Sequence, residues 1–184
     1  MILIEDKSID ARLADAHLKI ITARDDWKIN GPLLNFGFDE NKYAEGFQLY
    51  TTAFDLQKIQ KLEYGDQYKA TVDFQGALAE MEKIHMQNVI VARVAFKNHP
   101  HLLKTAGLEG ERKVTYTGWL GQAQRFYNII LAKPEAAGLL ANFGLTTEKL
   151  TADQQKLENV HVLKVKQIHE SGDAQDATEK RDQA

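Results

Sequence analysis

At a constant offset of 107 residues, positions 31–77 of this 184-residue chain align without a gap on positions 138–184, with 15 identities in 47 positions. The identities gather where backbone geometry is demanding: Gly31, Leu33, Asn35, Phe36 and Gly37 recur as Gly138, Leu140, Asn142, Phe143 and Gly144. Gly65, Asp66, Ala70 and Thr71 recur as Gly172, Asp173, Ala177 and Thr178. A unit kept at its glycines and loosened on its surfaces must stack on its copy to bury an apolar face. The pattern predicts one helical-bundle domain over 1–184, made of a first repeat at 8–110 and a truncated second repeat at 111–184.

Three prolines against abundant Ala, Leu, Lys, Glu and Gln favour helix over strand. The fold class expected is all-α: an up-and-down bundle of about five long helices plus a truncated sixth, from duplication of a three-helix unit. Apolar residues every three or four positions place these helices at 8–26, 39–64, 66–98, 114–132 and 146–170, with the stub from 173. Ser8 and Asp39 are the expected N-caps, and Gly65 and Gly172 the expected stops. In the first helix the stripe Ile9, Leu13, Ala16, Ile20, Ala23 and Trp27 is the expected buried side. The stretch 89–96 is apolar nearly all round, which predicts cover on every side.

A shorter motif occurs three times. Leu33–Phe38, Leu103–Leu108 and Leu140–Leu145 each read Leu, three residues, Gly, then an apolar residue. With glycine just past a helix end, that leucine and that apolar residue are the pair that touches in a Schellman stop. Each copy is therefore expected to be a short helix with a left-handed end. A phosphate-binding glycine loop does not fit, because no strand precedes the motif and no Lys-Ser or Lys-Thr follows it.

The formal charge of -3 with mixed signs gives no basic stripe, which argues against nucleic acid as a partner. No long apolar stretch occurs, which argues against a membrane-spanning segment, and the acidic N-terminal 1–10 lacks the form of a signal peptide. A cytoplasmic location is the expectation. Without cysteine there is no thiol nucleophile, disulfide or thiolate metal site. The two serines, Ser8 and Ser171, stand at expected helix ends away from any recognisable base, so no catalytic residue is assigned.

The constellation with a mechanism behind it is histidine and carboxylate on helices. Glu82 with His85 and Glu158 with His161 have Glu-x-x-His spacing, which sets both side chains on one helix surface, as in di-iron and di-manganese bundles. His17 falls near its own helix midpoint, so His17, Glu82, His85, Glu158 and His161 form a candidate transition-metal set. Against it, His161 aligns with Phe54 and His17 with Gln124 across the repeat, so the other copy keeps neither ligand. His99 and His101 flank Pro100 at a helix entry, where a cap or an exposed ring is expected, with metal binding the weaker alternative. Asn88 interrupts an apolar stripe and needs a hydrogen-bond partner, with His85 one turn back the nearest candidate.

The second repeat ends 12 residues past Gly172, and its polar 173–184 is expected to fray. A partner chain, or further sequence, would then cover apolar surface at 126–131 and 150–168. The reading this favours is a non-enzymatic protein-interaction or scaffold module without a cofactor, bound to a protein partner or to its own copies. The alternative is a metal-binding histidine and carboxylate bundle.

Overall fold

The computed structural model describes residues 8–183, so most of the acidic 1–10 segment and Ala184 lie outside the described residues. All regular structure among the described residues is helical: α1 Ile9–Asp25, α2 Trp27–Leu34, α3 Glu40–Ala95, α4 Pro100–Thr105, α5 Tyr116–Ala132, α6 Pro134–Ala141 and α7 Thr147–Gln183. None of these helices is long and apolar enough to cross a membrane. The bounds of α1 and α2 recur 107 residues later as those of α5 and α6, and α7 begins 107 residues after α3.

Helix starts follow the capping residues. Ser8 Oγ accepts from the Ala11 amide at 3.3 Å, Asp26 Oδ1 from Lys28 at 2.9 Å and Asp39 Oδ1 from Lys42 at 3.0 Å. The three repeated stops close as Schellman ends. Phe38 N donates to Leu33 O at 3.2 Å and Gly37 N to Leu34 O at 3.1 Å, and the same two bonds form at Gly107 and at Gly144. Gly37, Gly107 and Gly144 have φ of 81°, 71° and 78°, which a side chain would make costly.

Two expected boundaries are absent. Segments 39–64 and 66–98 are one 56-residue helix, α3, and the helix at 146–170 runs on through Gly172 and Asp173 as the 37-residue α7. Gly65 and Gly172 keep helical backbone because a lone glycine costs only about 1 kcal/mol against alanine, too little to end a run of good helix formers. The stretch 173–183 is therefore helical rather than frayed, and Ala174 and Ala177 are buried.

The chain divides into two compact units, one containing residues up to Gln67 with those from Glu170 onward, the other residues 68–169. These units do not follow the 8–110 and 111–184 boundaries read from the repeat. The first unit holds α1, α2, the N-terminal part of α3 and the C-terminal part of α7. Here α1 packs with α2 and runs antiparallel to α3, with Asp10 paired to Lys61 at 2.7 Å, His17 stacked on Tyr50 and the Tyr43 hydroxyl donating to Ala23 O at 3.1 Å. No residue of α1 is buried, contrary to its expected stripe, and Trp27 is 78% exposed.

The second unit carries the continuous core. Phe74, Met81, Ala92 and Phe96 of α3 meet Trp119, Ala123, Phe126, Tyr127 and Ile130 of α5, with Leu102, Leu140, Leu150, Leu157 and Val160 completing it. Within this unit α3 and α7 run antiparallel, as Thr71 with Gln167 and Glu80 with Lys156 show. Segment 89–96 is covered on one side only, since Ile90 and Val94 are exposed while Ala92 and Phe96 are buried. Residues 126–131 and Leu150, expected at an open surface, lie mainly in this core, whereas Val162, Val165 and Ile168 are exposed as expected.

Candidate functional site

The second unit contains a cavity of about 140 Å³ between α3, the 106–112 connection and the first turns of α5. Its apolar wall includes Met86, Val89, Leu108, Trp119 and Phe126, and its polar residues include Glu82, His85, Arg93, Arg112 and Gln122. Hydrogen bonds fix the connection that forms its rim. Arg93 donates to Leu108 O through Nε at 3.2 Å and Nη2 at 3.1 Å, and Gln122 bridges Lys113 N at 2.8 Å and Glu111 O at 3.1 Å. Arg112 Nη2 donates to Glu82 Oε1 at 2.8 Å.

His85 stands edge-on to Phe126 and Trp119, and burial together with the nearby Arg112 charge lowers its pKa to about 4. It is neutral at pH 7. Its Nδ1 and the Trp119 Nε1 are buried without a hydrogen-bond partner. An indole N–H is donor only, so Trp119 calls for an acceptor. One layer deeper, Asn88 Nδ2 donates to Asp153 Oδ2 at 2.7 Å and to the Tyr127 hydroxyl at 3.0 Å. The partner expected for Asn88 was His85; the observed ones arrive from α7 and α5. Burial raises the Tyr127 pKa, so its hydroxyl stays protonated.

Of the five candidate metal ligands, His17 belongs to the first unit and Glu82, His85, Glu158 and His161 to the second. His17 stacks on Tyr50 with centroids 4.5 Å apart, Glu82 pairs with Arg112, and Glu158 and His161 are exposed. Metal-capable donors converge elsewhere among the described residues. His99, His101 and Glu135 form one group of three, and Glu63, Glu170 and Asp173 another, each with ligand atoms within 4.8 Å. Neither contains any of the five. Glu135 carries no metal signal in the sequence, since its role depends on how α6 sits beside α4. What could have been read is the parallel form of the two helix starts, His-Pro-His and Lys-Pro-Glu, each with proline in the first turn.

The fold and these sites define an all-α protein with two helical units and a walled cavity in the second. No known protein family, curated protein or solved structure matches this chain.

Proposed function

We propose that the chain is a non-enzymatic protein-interaction module, built by duplication of one helical unit, whose first unit receives an amphipathic helix from a partner protein. The recurrence of the bounds of α1 and α2 as those of α5 and α6 at one offset supports the duplication. The observation that carries the function is the contrast between matching positions. Leu145 and Ala136 of the second unit are 3% and 1% exposed, and their counterparts Phe38 and Ile29 in the first are 46% and 39% exposed.

In the second unit α3 from Met81 to Phe96 closes the core against α5. A helix that would cover the corresponding face of the first unit is specified by this stretch: apolar residues at the spacing of Met81, Ala92 and Phe96. The mixed surface charge favours such a partner over nucleic acid. A fluorescent peptide of residues 77–98, added to the intact protein, should bind saturably, and Ile29→Asp with Phe38→Asp should abolish binding. Equal binding by that double variant would refute the reading.

The cavity supports a second reading, capture of a single-ring or similarly small ligand. Its volume is close to the roughly 150 Å³ cavity that admits benzene in another protein, and two unpartnered polar atoms belong to its lining residues. In a Trp27→Phe background, Trp119 emission should respond saturably to benzoate. An unchanged spectrum up to about 10 mM, where even weak ligands register, refutes it.

A further inference from the structure

The first turns of α4 and α6 bring together three donors that neither the interaction surface nor the cavity uses. His99 is the N-cap residue of α4, and its side chain makes no capping bond. Its backbone is fixed on both sides, with His99 N donating to Phe96 O at 2.8 Å and Leu102 N donating to His99 O at 2.9 Å. Pro100 and Pro134 sit in the first turns of their helices, pre-setting φ next to His99, His101 and Glu135.

The resulting separations are the informative quantity. Glu135 Oε1 lies 3.7 Å from His99 Nδ1 and 3.7 Å from His101 Nε2. The two rings are inclined at 72° with centroids 6.0 Å apart, so they do not stack face to face. A tetrahedral zinc ion with ligands at about 2.0–2.1 Å requires donor–donor separations of roughly 3.3 Å. The two Glu135 separations need to close by a few tenths of an ångström, and the two imidazole nitrogens, which lie within 4.8 Å of each other, can adjust because these side chains are partly or fully exposed. Two imidazoles and one carboxylate form the donor set of an open zinc site, with its fourth position left for water or an incoming ligand.

We infer that His99, His101 and Glu135 form a binding site for a divalent transition ion of the zinc class, joining the start of α4 to the start of α6. It is distinct from the histidine and carboxylate set suggested by helical spacing, and it shares no residue with it. Protonated imidazoles paired with Glu135 are the competing account of the same distances.

Calorimetric titration of the intact, untagged protein with zinc chloride at pH 7.5 separates the two. One equivalent should bind saturably, and cobalt substituted for zinc should give the visible absorption of a tetrahedral site. Even residues behind metal ligands cost 10- to 100-fold in affinity when changed, so His99→Ala or His101→Ala should cost about 100-fold or more. Glu135→Gln should weaken binding less, because the amide oxygen remains a neutral donor. His161→Ala, an exposed histidine elsewhere, should leave the titration unchanged. Absence of a one-equivalent isotherm overturns the site, as does unchanged affinity in the His99→Ala, His101→Ala double variant with native circular dichroism.

Discussion

Replacing Asn88 with Leu tests whether the buried polar cluster of the second unit is held by its hydrogen bonds or by packing alone. Asn88, Asp153 and Tyr127 are all buried, so water cannot substitute for a lost partner. The variant removes one neutral bond, at 3.0 Å to Tyr127, and one short bond, at 2.7 Å to the Asp153 carboxyl group. A neutral bond contributes about 1 kcal/mol and one to a charged acceptor about 1.5–3 kcal/mol. Leucine returns some apolar burial, leaving an expected loss of about 3 kcal/mol. That lowers the folded-to-unfolded ratio by about two orders of magnitude. The assay is urea unfolding followed by Trp119 emission in a Trp27→Phe background, which is benign because Trp27 is exposed. Asn88→Leu combined with Asp153→Leu should recover part of the loss, since the Asp153 carboxyl group is then no longer stranded. A loss below about 0.5 kcal/mol for the single variant, or a double variant at least as unstable as the sum of both singles, refutes the reasoning.

Glycine substitutions should split by backbone conformation. Gly144→Ala, at φ 78°, should cost about 1–2 kcal/mol in thermal or urea unfolding. Gly65→Ala and Gly172→Ala, in helical backbone with nothing within 4 Å of an added methyl, should each stabilise by about 0.5–1 kcal/mol. For His85, a folded pKa of about 4 lies below the ordinary value of 6.5, so the unfolded state binds more protons between those limits. Stability should fall as pH drops from 6.5 towards 4, by about 3 kcal/mol from this residue, so wild type should lose that much relative to His85→Leu over the same range. A difference that stays constant across that range contradicts the assignment.

The sequence resolved the stops better than the continuations. Gly37, Gly107 and Gly144 end helices, and each precedes Phe or Leu; Gly65 and Gly172 do not, and each precedes Asp. These three helix ends share an apolar residue after the glycine and a leucine four before it, a pairing that Gly65 and Gly172 lack and that is easily lost if every repeated glycine is read alike. In 173–183 the count of polar residues masked Ala174 and Ala177, small side chains one turn apart that bury while their neighbours stay wet. Helical spacing correctly set His85 on an inward face, yet spacing says nothing about partners on other helices. Asn88 to Asp153 and His99 to Glu135 are tertiary pairs, and no local pattern encodes them.

The three left-handed stops also bear on the order of folding. Each is closed by backbone bonds within one hexapeptide, such as Leu145 N to Leu140 O at 3.1 Å, so it needs no distant segment to form. Helical turns form within about a microsecond, well before long-range helix contacts accumulate. A single residue, Asp26 or Lys133, separates α1 from α2 and α5 from α6. These two helix pairs can therefore be assembled and terminated while α3 and α7 are still searching for their places, leaving the long helices to condense on ends already fixed.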